Sequence, residues 1–191
     1  MVMDATAKKN RVTLNDNLLI GPDLLNSLTG VLMCFREQRV TIAADIEAMF
    51  HQCLVIEEDQ PALSFLWWEL DVNRAPDMYQ IRVLIFGAAW SPSTADYVLR
   101  KTAEDNREDP AFSQETINAV SKNFYMDNFL KSVNDVTTAS MLQQEMTSLL
   151  AHGGFRLTKW SSSSREVLSR IPNQELACPT LNLDLDNLPM E

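Results

Sequence analysis

Two apolar runs, Phe124-Tyr125-Met126 and Phe129-Leu130-Lys131-Ser132-Val133, are separated only by Asp127-Asn128. That is the pattern of a tight hairpin, two antiparallel strands joined by a turn. Asp and Asn suit the joint because their short polar side chains tolerate turn geometry. This hairpin commits the chain to an antiparallel sheet that needs apolar partners on at least one face.

The flanking segments supply those partners. Gly21 to Phe35 carries Leu24, Leu25, Leu28, Val31, Leu32 and Phe35 at helical spacing, with Pro22 and Asp23 as start signals, and predicts an amphipathic helix. Val40 to Ala44 is a short β-branched and apolar run that predicts a buried strand, with Asp45 at its C-terminal end and a short helical stretch on to His51. Leu63 to Trp68 and Met78 to Ile85 predict a second hairpin. Ser91, as a cap, and Pro92 open a helix to about Asp105, and another is expected from Ser113 to Val120. Asp135 to His152 predicts a third amphipathic helix, stopped by Gly153-Gly154. A strand from Phe155 to Trp160 follows, then a loop over Ser161 to Ser164. This order predicts an α+β fold with helices on one face of an antiparallel sheet. The last dozen residues alternate Leu and Asp around Pro189 with little to pack against, and are expected to be poorly anchored.

Composition narrows the function classes. With 46% hydrophobic residues and only 5 Gly in 191, the chain is globular, neither disordered nor collagen-like. No apolar run approaches the roughly 20 residues needed to span a bilayer, and the start has no secretion signal, so an intracellular, cytoplasmic protein without a membrane partner is expected. Cys34, Cys53 and Cys178 show no paired spacing and read as reduced thiols. A net charge of -10 repels a phosphate backbone over most of the surface, so any nucleic-acid role needs a local site. His51 and His152, the only histidines, have no nucleophile at recognisable spacing. Trp67, Trp68, Trp90 and Trp160 read as core rather than base-stacking residues.

What remains is a pair of carboxylates at strand ends, Asp45 and Asp127. Converging at one sheet edge, they would bind hard cations such as magnesium, which takes oxygen ligands. Taken singly, by spacing alone, Asp45 reads sooner as an N-cap before a short helix, and Asp127-Asn128 sooner as ordinary turn chemistry.

The wording around the pair favours the first reading. Ala44-Asp45-Ile46-Glu47-Ala48-Met49-Phe50, Phe86-Gly87-Ala88-Ala89-Trp90-Ser91-Pro92, Phe124-Tyr125-Met126-Asp127-Asn128 and Gly153-Gly154-Phe155-Arg156-Leu157-Thr158-Lys159-Trp160 stand in the order of the palm motifs of reverse transcriptases. The chain resembles that family from about Asp4 to Glu191. Thr13-Leu14-Asn15-Asp16, Gly21 to Leu28, Phe155 to Trp160 and Ser164 to Leu168 resemble more narrowly the polymerases of Bel/Pao long-terminal-repeat retrotransposons. The resemblance implies a polymerase palm with a ferredoxin-like core and partial fingers over 1–175, and a poorly packed tail over 176–191. It implies an RNA-directed DNA polymerase that adds deoxynucleotides to a primer 3′-hydroxyl on an RNA or DNA template, using two Mg2+ or Mn2+ ions. Asp45 and Asp127 would be the metal ligands, with the Ile46 carbonyl nearby, and Phe50 would be the gate against a ribose 2′-hydroxyl. Phe86, Gly87, Ser91 and Pro92 would face template and nucleotide, Tyr125 and Met126 the primer terminus, and Lys159 the nucleotide phosphates as a proton donor.

Two departures accompany it. Asn128 stands where the family has a second Asp, which removes a charge and predicts impaired catalysis. Relatives also carry a basic segment upstream and a thumb and ribonuclease H domain downstream, so the chain is expected to be a truncated piece. The alternative reading is a catalytically inactive retroelement relic, at most an acidic protein-interaction domain.

Overall fold

The computed structural model describes residues 4–178, and the expectation for the last dozen residues lies outside them. Strands β1 (Val40–Ile46), β4 (Phe124–Tyr125), β5 (Asn128–Val133) and β6 (Leu157–Ser162) form an antiparallel sheet in the order β4-β5-β1-β6. β2 (Ser64–Trp67) and β3 (Asp77–Gln80) form a separate two-stranded ribbon. The helices are α1 (Leu28–Phe35), α2 (Ser91–Asp105), α3 (Gln114–Lys122), α4 (Val136–His152) and a single turn, α5 (Arg165–Leu168). The fold class is α+β, as the element order predicted.

Caps account for most helix starts. The Ser113 side chain accepts from Thr116 N–H and that of Asp135 from Thr138 N–H, each satisfying a donor at the first turn. At the end of α4, Gly154 takes φ +79°, the left-handed conformation that closes a helix cheaply only in glycine.

The core lies on the sheet face shared by Ile42, Ala44 and Ile46 of β1, with Phe129 of β5 and Trp160 of β6. The rings of Phe124, Phe129 and Trp160 are in series at 5.1 and 6.2 Å, and none is more than 2% exposed. Burial on this scale stabilises by roughly 1.5–3 kcal/mol per large side chain, which is why the hairpin pairs in one register. Neighbouring residues of β5 point to opposite faces. Lys131 reaches Glu115 of α3 at 3.2 Å, whereas Ser132 donates to the Cys34 carbonyl of α1 at 2.8 Å. Thus α3 and α1 lie on opposite faces, and the helices are not confined to one.

Other expectations shift. The predicted helix from Gly21 begins only at Leu28, because residues 21–27 take no regular structure and are tied down sideways: Ser93 donates to the Pro22 carbonyl, Arg100 to that of Leu24, and Asn26 to those of Ser121 and Phe124. β1 continues through Asp45 to Ile46, so Asp45 is a strand residue and not a helix cap; the helical stretch after it is one 3-10 turn, Met49–Gln52. In the hairpin expected over residues 63–85, the second strand stops at Gln80, since Leu84 and Ile85 are drawn into the core and Val55 N–H bonds the Arg82 carbonyl instead. Ser91 is the first residue of α2 rather than its cap, and its hydroxyl donates to the Ile85 carbonyl at 2.7 Å. Ser161 and Ser162 belong to β6, not a loop, and the chain stays joined to that strand through a bond from Ala177 N–H to the Trp160 carbonyl. Of the tryptophans read as core, Trp160 is buried and Trp90 half-buried, whereas Trp67 and Trp68 are exposed. Cys53 is buried, which pushes its thiol up to about 11; Cys34 and Cys178 are exposed and free.

Candidate functional site

The β4–β5 loop is Met126-Asp127, one residue earlier than the apolar runs implied: Tyr125 pairs with Asn128, and Met126 takes φ +54°. A positive φ at the first loop position is what a tight hairpin's twist requires. The register then sets Asn128 directly across from Asp45, which on its other side pairs with Thr158 of β6. The Asp127 carbonyl accepts from Ile46 N–H at 2.8 Å, tying the loop to the end of β1. Asp45 and Asp127, far apart in the chain, therefore open into one cleft.

This cleft, about 300 Å³, is lined by Asp45, Ile46, Ala48, Met49, Phe50, Phe86, Met126, Asp127 and Lys159. Eight of the nine come from the end of β1 and the 3-10 turn after it, the β4–β5 loop and the bulge in β6. The ninth, Phe86, comes from the loop before α2; it is 62% exposed, and its ring lies 4.9 Å from that of Phe50 and 5.7 Å from that of His51.

The bulge aims a charge into the cleft. Between the pairs Asp45–Thr158 and Ala43–Ser161, one residue of β1, Ala44, faces two of β6, Lys159 and Trp160. Such an insertion re-aims a side chain. Trp160 goes to the core, while Lys159, at φ +54°, brings Nζ to 3.3 Å from Asp45 Oδ1. Left-handed backbone costs a non-glycine residue about 1–2 kcal/mol. Ala48, Met126 and Lys159 all adopt it, and all three line this cleft. The hairpin twist accounts for Met126 and the bulge for Lys159, so these left-handed residues are where the fold's own turns deliver side chains to the cleft.

Electrostatically the two acids differ. Loss of solvent holds the Asp127 carboxyl above the usual carboxylate range, and the nearby charge of Asp45 adds to this against the opposing pull of Lys159. Asn128 donates from Nδ2 to Asp127 Oδ1 at 2.7 Å. Asp45 is a quarter exposed at its side chain and meets Lys159 alone as an ion-pair partner among the described residues.

Not every predicted residue reaches the cleft. Ser91 is fully buried in loop-to-helix bonding, Pro92 lies in two side clefts with Leu25, and Tyr125 is a strand residue beside the loop. Gly87 lies outside the lining, but at φ +85° it makes the turn that presents Phe86. The sequence reading missed Asn15. Its side chain donates to the Gly87 carbonyl at 3.0 Å and accepts from Ala89 N–H at 2.9 Å, so it pins the loop that carries Phe86. A signal existed: Thr13 and Asp16 bond reciprocally through backbone N–H groups, the three-residue spacing of a capping box that leaves Asn15 free to reach outward. It also missed Asp96, a buried carboxylate that pairs at 2.9 Å with Arg100, which in turn anchors the segment before α1 through the Leu24 carbonyl.

No protein-family model matches this chain, and no curated protein is significantly similar to it.

Among the described residues no three His, Cys, Asp or Glu side chains cluster. The donor chemistry of the pair nonetheless fits a divalent cation. Two carboxylates face one cleft, one of them raised partly by the other's charge, and a hard cation between them would relieve that repulsion.

Proposed function

We propose that this chain is the palm and partial fingers of a retrotransposon reverse transcriptase of the Bel/Pao type, a template-directed nucleotidyltransferase acting on a primer 3′-hydroxyl. One observation carries this reading: Asp45 and Asp127 meet in a single cleft with the aromatic pair Phe50 and Phe86 and with Lys159, which is the grouping the motif order implies. The antiparallel sheet with its acidic loop at one edge supports a palm.

In this reading Asp45 and Asp127 hold Mg2+ or Mn2+, and Asn128 offers at most a neutral amide oxygen. When bound, two such ions activate the attacking hydroxyl and stabilise charge on the leaving pyrophosphate. Phe50, braced by Phe86, narrows the cleft where a deoxynucleotide sugar would lie. Lys159 supplies positive charge beside the triphosphate and a proton for the leaving oxygen. Met126, at the loop apex with Tyr125 behind it, borders the primer end. The acidic palm contributes the metal site, while a basic template channel would come from other parts of the polymerase.

A second reading is an inactive relic serving at most as an acidic interaction domain. It is favoured by the fact that each carboxylate already has an internal partner, Lys159 for Asp45 and the Asn128 amide for Asp127. Metal-dependent primer extension separates the two. The polymerase reading expects extension that disappears in Asp127→Ala and quickens in Asn128→Asp. A chain that binds neither Mn2+ nor primer–template, even as Asn128→Asp, ends that reading.

A further inference from the structure

We infer that Lys159 is a resident cation which limits how strongly the cleft takes a divalent ion, a role that rests on the reading of Asp45 and Asp127 as the metal ligands. Three linked features converge on it. The ammonium sits 3.3 Å from Asp45 Oδ1, within the cleft that both acids line. The side chain reaches there only because β6 carries an extra residue opposite Ala44. That residue is a lysine at φ +54°, where glycine would be relaxed, so the backbone accepts strain to deliver a positive charge.

The charge count gives the consequence. Asp45 and Asp127 bring two negative charges, Asn128 none, and Lys159 cancels one. A divalent ion entering the cleft must displace the ammonium from Asp45 or accept its repulsion at short range. Lys159 is 66% exposed at its side chain, so it has room to swing away, and displacement is a side-chain movement rather than an unfolding of the bulge. The structure therefore assigns to Lys159 control of the cleft's affinity for divalent cations. It would lift from Asp45 as the ion enters and be left free to meet a triphosphate.

The test is Mn2+ binding to the full chain, read from the electron paramagnetic resonance signal of free Mn2+. Lys159→Gly removes the charge and suits the left-handed backbone; it is expected to bind Mn2+ about tenfold more tightly than wild type, the effect of losing one unit charge a few ångströms from the ion at a partly exposed site. Lys159→Gln, which keeps most of the stem, should give a gain of the same order, and Lys159→Arg no gain. Adding Asp45→Asn to Lys159→Gly should abolish the gain. Equal affinity in wild type and both neutral variants, a gain that survives Asp45→Asn, or no binding in any of them overturns the assignment. If the gain appears while no variant extends a primer, the polymerase reading fails and the role of Lys159 stands.

Discussion

Asn128→Asp restores the carboxylate that the family motif carries, and its effect on stability can be worked from the site. The substitution removes the bond from Asn128 Nδ2 to Asp127 Oδ1 at 2.7 Å, a donor to a charged group worth about 1.5–3 kcal/mol. It also sets a new negative charge directly across the ladder from Asp45, where like charges repel by up to about 1 kcal/mol. The metal-free protein should therefore lose roughly 1–2 kcal/mol, once the exposure of Asn128 is discounted. For a chain of this size that lowers Tm by about 2–8 °C. Three carboxylates should then hold a divalent ion better than two, and saturation at a hundred times Kd returns about 2.7 kcal/mol, enough to offset the loss. Differential scanning calorimetry with and without millimolar Mn2+ reads both halves. A variant as stable as wild type without metal would refute the reasoning about the Asn128 amide. A destabilised variant that Mn2+ fails to rescue would refute the cleft as a cation site.

Glu145 of α4 accepts from Ser113 N–H, Ser113 Oγ and Thr116 Oγ1 through one carboxylate oxygen, tying α4 to the start of α3. Glu145→Ala should cost about 2–4 kcal/mol in urea unfolding, and a loss below about 0.5 would deny the network its role. Burial acts to raise the Glu145 carboxyl, but its bonds to Ser113 and Thr116 outweigh this and hold it below the usual range. Its contribution is therefore present above the unfolded-state value and fades as pH falls through the lower folded one; the difference between wild type and Glu145→Ala should shrink accordingly in acid. Gly153 tolerates no side chain, since a Cβ there would come within 2.2 Å of Thr102 Oγ1. Gly153→Ala should lower Tm, and Thr102→Ala should restore part of the loss in the double variant; additive losses would show that the clash is not the cause.

Much of the frame is legible in the chain. The β4–β5 hairpin, the starts of α3 and α4, the glycine stop after α4 and the apolar run of β1 all depend on signals within a few residues of where they act: a cap, a repeat of period two or near four, a turn pair. Where distant segments compete, the same signals misled. The period from Gly21 to Leu28 fits a helix, yet Ser93, Arg100 and Asn26 offer its backbone partners that run across the chain instead of along it. Ile81 to Ile85 has strand composition, but the core takes Leu84 and Ile85 and leaves β3 to end early.

For the candidate site the division falls in the same place. The residue types, and the motif wording around Asp45, Asp127 and Lys159, are properties of the sequence. Their meeting is not, because no local pattern specifies which strands become neighbours. Thr158 and Asp45 are 113 positions apart, and only burial of Ile42, Ala44, Phe129 and Trp160 on one face makes β5 and β6 flank β1 in this register. That packing turns Asp45 into a strand residue facing Asn128, moves the hairpin loop to Met126-Asp127, and forces the bulge that swings Lys159 onto Asp45. The sequence by itself determined which elements form and which chemistry they carry, since both follow from neighbours along the chain. The tertiary structure alone decided the cleft, its charge balance and its strain, since these arise where side chains from separate strands compete for one buried face.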